Sequence, residues 1–227
     1  MQLQGNLTLK KFLIWRIKHI PNKQFIHFVS IVVGVLSGLL AAVIKNTTYF
    51  FQQQITNVNI EYQSLFYFIF PILGILLTLA IIRYGIKKPV NHGIPSVLYA
   101  LSKRKGIMPA YQMFASVFTA PITIGFGGSA GLEGPTVSGG ASIASNLSRL
   151  LHLNQATRSL LIGCAAAGAM SAIFKAPIAA IIFAIEVFSL DLTLASLLPL
   201  LFASISALLT TYFFFGSTQL LPFELKD

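Results

Sequence analysis

The chain has 227 residues, of which 55% are hydrophobic and only 10% charged, with a mean hydropathy of +0.77. A soluble domain carries about a quarter charged residues, so this composition excludes an ordinary soluble fold. The formal net charge of +10 would suit a nucleic-acid partner, but the basic residues sit at the ends of apolar blocks, which explains the charge without nucleic acid.

Residues 1–27 are basic, with Phe12, Ile14, Trp15 and Ile17 interleaved among Lys10, Lys11, Arg16 and Lys18. That pattern predicts an amphipathic cytoplasmic helix lying on the membrane surface. No small-residue cleavage pattern follows, so the segment is not read as a signal peptide. From residue 28 to 227 the chain reads as a transmembrane domain. Apolar blocks stand at Phe28–Ile44, Leu65–Ile82, Gln112–Ile124, Ser159–Phe174, Pro177–Leu190 and Leu194–Phe215. A bilayer span takes about 20 apolar residues; the first two blocks and the last meet that length, whereas the middle ones are short and interrupted by Gly and Pro. Gly34-Val35-Leu36-Ser37-Gly38 is a small-xxx-small pattern that lets helices approach closely. Lys45 to Gln63 reads as a loop, and the second span as ending near Arg83.

Regularity then fails. Asn91-His92-Gly93-Ile94-Pro95 opens a segment that reaches Lys103-Arg104-Lys105 only about ten residues later, too short to cross. It reads as a half-helix entering from the cytoplasmic side. A span from Ala110 to Ile124 runs outward, a loop from Gly125 to Gly134 returns to membrane depth, and a helix starts at Pro135. Further helices are expected from Arg158 to Phe174, from Pro177, and from Leu194 to Phe215. Cys164, the single cysteine, excludes an intrachain disulfide and suits a small packed thiol. The positive-inside rule puts thirteen of the sixteen basic residues on the cytoplasmic face, with Lys45, Lys175 and Lys226 outside. The expected location is the cell (inner) membrane with a cytoplasmic N-terminus.

Helix starts at Gly93-Ile94-Pro95 and Gly134-Pro135 would present unsatisfied N–H groups and partial positive charge within the membrane, an arrangement suited to anions. The chain has only six acidic residues, and Glu133 stands within this glycine-rich backbone, where an ionisable group is costly without a role. The residues alone therefore predict a membrane pathway for a small anion. A loose dinucleotide pattern at Gly125–Ala130 offers an enzyme alternative, but no Asp or Glu occurs between Thr136 and Phe174 to bind a ribose. No catalytic triad or metal-ligand cluster stands out, so no enzyme, cofactor or metal is expected.

Gly131-Leu132-Glu133-Gly134-Pro135 resembles the G-K/R-E-G-P signature of the chloride channel and chloride/proton antiporter (CLC) family. Asn91-His92-Gly93-Ile94-Pro95 resembles its G-S-G-I-P segment. Ala165-Ala166-Ala167-Gly168, Phe174-Lys175-Ala176-Pro177-Ile178-Ala179 and Phe183-Ala184-Ile185-Glu186 resemble the two helices that follow the signature. Order and spacing agree from about residue 25 onward. The resemblance implies an all-α membrane fold with broken helices. It makes Glu133 a gating carboxylate that occupies an anion site and swings away. Backbone at Gly131, Leu132, Gly134, Pro135, Thr136 and Val137 would line anion sites, together with His92, Gly93 and Ile94 at the other helix start. Chloride or a similar small anion is the implied cargo, the lipid bilayer the setting, and a homodimer the complete assembly.

The chain departs from that family in three places. His92 replaces the usual pore serine; it either donates an N–H with a charge sensitive to pH or turns aside and leaves coordination to backbone. Val187 replaces a glutamate that antiporters often use to pass protons, which favours passive conduction over exchange and leaves Glu186 as a possible relay or a structural acid. The sequence also matches only the first of the family's two inverted repeats, so a truncated fragment that does not conduct is a further alternative.

Overall fold

A computed structural model describes residues 21–56, 63–90, 93–191 and 193–215. Residues 1–20 of the surface helix expected over 1–27, together with His92 and Lys226, lie outside the described residues. The rest is helical: α1 Asn22–Thr56, α2 Gln63–Ala80, α3 Ile94–Lys103, α4 Tyr111–Gly125, α5 Glu133–Leu150, α6 Gln155–Phe174, α7 Pro177–Phe188 and α8 Leu194–Phe215. A π-helical turn, Ile81–Ile86, extends α2. Among the described residues, four helices are long and apolar enough to cross a membrane: Asn22–Ile55, Ile69–Ile86, Gln155–Phe174 and Leu194–Phe214.

Four boundaries differ from the sequence expectation. The apolar block ends at Ile44, but α1 continues to Thr56, replacing most of the expected Lys45–Gln63 loop with helix. No Gly or Pro interrupts that stretch, and Thr47 and Thr48 donate back to the carbonyls of Val43 and Ile44 at 2.8 Å, so their hydroxyls are satisfied within the helix. At its other end α1 begins at Asn22, so the segment just before the first apolar block belongs to the same helix. α6 starts at Gln155, ahead of Arg158, because the Asn154 side chain caps it by accepting from Thr157 N at 2.8 Å. That adds the residues which make it long enough to cross. α5 starts at Glu133, two residues before Pro135.

Helix α6 is the central post. Two-thirds of its span is buried, against 11% for the peripheral α2, and it packs on α1, α5, α7 and α8. Ala165, Ala166, Ala167 and Cys164 are fully buried, which fits close helix contact through small residues. Helices α1 and α8 form the most extensive pair. The Gly34/Gly38 stripe faces α8: a Cβ on Gly34 would lie 2.7 Å from Ala203 Cα, and one on Gly38 2.9 Å from Ala207 Cα. Gly168 of α6 meets the same crossing, 3.5 Å from Gly34 Cα by the same construction.

The end of α5 opposite Glu133 is stitched to the connection between α3 and α4. Ser145 Oγ donates to the Gly106 carbonyl at 2.6 Å and accepts from Met108 N at 2.9 Å. Ser142 donates to the Pro109 carbonyl and Asn146 to that of Met108. Arg158 reaches the Lys105 carbonyl at 3.0 Å. These bonds hold α3, α4 and α5 in one arrangement at the end bearing the Lys103–Lys105 and Arg149–Arg158 charges.

Candidate anion site

The two helix starts read from the sequence meet in space. A Cβ built on Gly134 would come 3.2 Å from Gly93 Cα, so the N-termini of α3 and α5 nearly touch. Glycine is required on one side of this contact. Gly93, the N-cap of α3, has φ +89° and ψ 177°, a region that side-chain-bearing residues essentially do not enter. Pro95 follows at the second helical position and removes one N–H that would have no partner there in any case. Ser96 Oγ donates to the Gly93 carbonyl at 2.8 Å, tightening that turn.

On the α5 side, Leu132 is the N-cap and Glu133, Gly134 and Pro135 form the first turn. The first turn of a helix lacks acceptors for its own N–H groups. The amides of Leu132, Glu133 and Gly134 are therefore the ones this helix leaves for an external acceptor, Pro135 having none. Thr136 N donates to the Leu132 carbonyl at 3.1 Å, and its hydroxyl does so at 2.6 Å. That narrows the set expected from sequence: Thr136 and Val137 are fully buried, and the Thr136 amide is already engaged by the helix.

Glu133 is half-buried, and its side chain folds back over its own loop. A Cβ on Gly131 would overlap Glu133 Oε2 and stand 2.9 Å from its Cδ. The carboxylate thus lies against bare backbone, beside helix ends whose partial charge favours an anion. The loop carrying it is wedged by Phe126, whose ring contacts Phe51 of α1 and Phe70 of α2 at centroid distances of 5.8 and 6.3 Å. The sequence reading missed Phe126; its flanking glycines were the available signal.

Glu186 is not brought to this point. It is exposed in the last turn of α7, about 14 Å along that helix from Pro177 at 1.5 Å per residue. Val187 packs against the hydrophobic core. Ahead of α8 the Asp191 carbonyl accepts from Ser196 Oγ and from Thr193 N.

The profile described as "Voltage gated chloride channel" matches residues 73–227, more than half of the chain. The chain belongs to this family. Among curated relatives of the CLC family, a putative chloride channel protein ClcB-like from Ralstonia nicotianae is 28% identical over 67% of this chain and 37% of its own length. An H(+)/Cl(-) exchange transporter ClcA from Vibrio cholerae is 28% identical over 70% and 36%. A crystal structure of a CLC-type fluoride/proton antiporter superposes with a TM-score of 0.69 at 27% identity, covering 90% of this chain and 51% of that one. This chain therefore spans little more than a third of the length of those curated relatives and about half of that solved CLC protein.

The overlap at Gly131 yields a prediction. Gly131→Ala should displace the Glu133 carboxylate at little structural cost, because the obstructing atoms are the far end of a flexible side chain. On the gating role that the family resemblance implies for Glu133, anion flux through the variant should lose pH dependence while its thermal midpoint stays close to that of the parent protein. An unchanged pH profile would show that the carboxylate does not need this resting place.

Proposed function

We propose that this chain provides one wall of a transmembrane pathway for chloride or a similar small anion, gated by Glu133, with passive conduction as its mode. The observation that carries this reading is the convergence of the α3 and α5 N-termini at Gly93 and Gly134, with the Glu133 carboxylate at the start of α5 folded back over Gly131. His92, next to Gly93 in sequence, would complete the α3 side. An anion displaces the carboxylate from amides that suit either negative group, and protonation of the carboxylate removes the competitor. The passive mode is supported by Val187, which carries no titratable group, and by the placement of Glu186 at the far end of α7. We assign the Lys103–Lys105 end to the cytoplasm on the charge asymmetry, and we take the working assembly to need a second repeat and a homodimer, in keeping with the share of the relatives' length matched here.

A second reading, proton-coupled exchange, is favoured by the names of two relatives, an H(+)/Cl(-) exchange transporter and a fluoride/proton antiporter. Protein purified from the full reading frame and reconstituted in liposomes separates the two. Passive conduction predicts a reversal potential set by the anion gradient alone. A reversal potential that shifts with the proton gradient in a fixed ratio establishes exchange and requires another proton relay.

A further inference from the structure

A cavity of about 400 Å³ opens at the basic end of the bundle, between the chain that leaves α2, helix α3 and the start of α4. Its lining includes Val90 beyond α2, Pro95, Ser96, Tyr99 and Arg104 along α3, and Met108 ahead of α4. Two cations stand over aromatic rings here. The Arg104 guanidinium carbon is 5.3 Å from the Tyr99 centroid, and Lys88 Nζ is 5.2 Å from that of Tyr111. The Tyr111 hydroxyl donates to the Pro89 carbonyl at 2.8 Å, which pins the segment between Lys88 and Val90 to α4. Among the described residues the carboxylate side chains are those of Glu133, Glu186 and Asp191, and none of them lines the cavity.

The positive-inside rule accounts for basic residues at this end, but not for a cavity among them. A monatomic anion would fill a small fraction of that space, whereas its volume falls within the range of small-molecule sites, about 300–1,000 Å³. The helix that leads to it is the lipid-facing one. Only 11% of the Ile69–Ile86 span is buried, and Ile72, Leu76 and Leu79 are each more than half exposed. That apolar surface ends at Arg83, Lys87 and Lys88, all exposed, just before Val90. Basic pockets between transmembrane helices at the level of the headgroups suit anionic lipid heads.

We propose that this cavity takes the phosphate headgroup of an anionic phospholipid, with Arg104 and Lys88 as its counter-charges and the acyl chains along α2. A guanidinium can bond a phosphate through two parallel N–H groups while its face stays on a ring, so Arg104 need not leave Tyr99. Lys88 adds a point charge from the end of α2. Helix α3 packs mainly on α5, so a headgroup shared by Arg104 and Lys88 would tie this half-helix to α2 as well. A lipid suits the place better than an acidic protein segment, because the apolar surface that continues from the cavity is that of a peripheral membrane helix. Lipid binding here requires no anion flux and is measured independently of the pathway proposed above.

The test uses protein purified from the full reading frame in a zwitterionic detergent at physiological salt. Short-chain phosphatidylglycerol, short-chain phosphatidylcholine and inorganic phosphate are titrated separately. The parent protein should bind phosphatidylglycerol more tightly than either of the others, and its thermal midpoint should rise with that lipid. The double variant Lys88→Gln/Arg104→Gln should bind it about thirtyfold more weakly, and Tyr99→Leu about two- to fivefold more weakly. Lys23→Gln/Arg149→Gln removes the same charge from exposed positions outside the lining and should change the affinity by about twofold at most. Unchanged affinity in the folded Lys88/Arg104 variant overturns the proposal, as does an equal loss in the Lys23/Arg149 control, which would indicate a diffuse surface potential. Inorganic phosphate bound as tightly as the lipid would replace the lipid with a free anion. No preference for phosphatidylglycerol in the parent would mean that the rest of the protein fills the cavity, and also overturns it. Should the double variant fail to fold, Arg104→Gln alone decides by the same titration.

Discussion

Glu133→Gln is expected to abolish the external pH dependence of anion flux. In the parent protein, flux should rise as pH falls, because protonation removes a negative competitor from the α5 N-terminus. The glutamine amide is neutral at every pH and similar in shape to the protonated acid, so the variant should hold the acid-side flux across the whole range. Its largest effect therefore falls at alkaline pH. A negative group gains about 0.3–2 kcal/mol at a helix N-terminus, which corresponds to roughly twofold to thirtyfold in the occupancy of the site by a competing anion. Halide efflux from liposomes, measured from pH 4 to pH 9 on parent and variant side by side, checks this result. A variant that keeps the parent's pH profile would show that Glu133 is not the gate.

The second large effect concerns the frame that holds the site. Gly34→Val should destabilise the fold at the upper end of the range for overpacking, about 3 kcal/mol. A Cβ at Gly34 would meet backbone of α8, Ala203 Cα among it, and backbone cannot rotate away as a side chain can. Gly168 of α6 adjoins the same point, so separating α1 from α8 also loosens the central post. A contrasting substitution, Gly85→Ala, places its methyl in open space and should change stability by no more than about 0.5 kcal/mol. Thermal unfolding in one detergent compares the three proteins. Equal midpoints for Gly34→Val and Gly85→Ala would remove the small-residue stripe from the account of the fold.

The features legible in the sequence were those written as breaks in pattern. Gly93-Ile94-Pro95 followed closely by Lys103 announced a half-helix, and α3 has those limits. Gly34 and Gly38 announced a close helix contact, though not that α8 was the partner, because pairing between helices far apart in the chain leaves no periodic trace. The extension of α1 past Lys45 escaped notice for the opposite reason: its polar residues resemble a loop, and only the absence of Gly or Pro hinted at a helix. The start of α5 was misplaced by two residues because Pro135 tolerates several positions in a first turn. That small difference puts Glu133 on the helix itself.

The stitch between α5 and the Gly106–Pro109 segment has a consequence for the speed of gating. Ser145 and Ser142 clamp the far half of α5 to carbonyls that belong to the connection between two other helices, so tilting α5 would break several buried bonds together. On the gating role proposed for Glu133, opening is then left to rotation about the side-chain bonds of one glutamate over a glycine. Rotamer changes of exposed side chains take picoseconds to nanoseconds and collective helix movements microseconds to milliseconds; rotation of a half-buried glutamate is slower than the first but needs none of the second. The waiting time between open events should accordingly follow the arrival of a proton or an anion, and should respond to buffer concentration more than to membrane thickness or temperature.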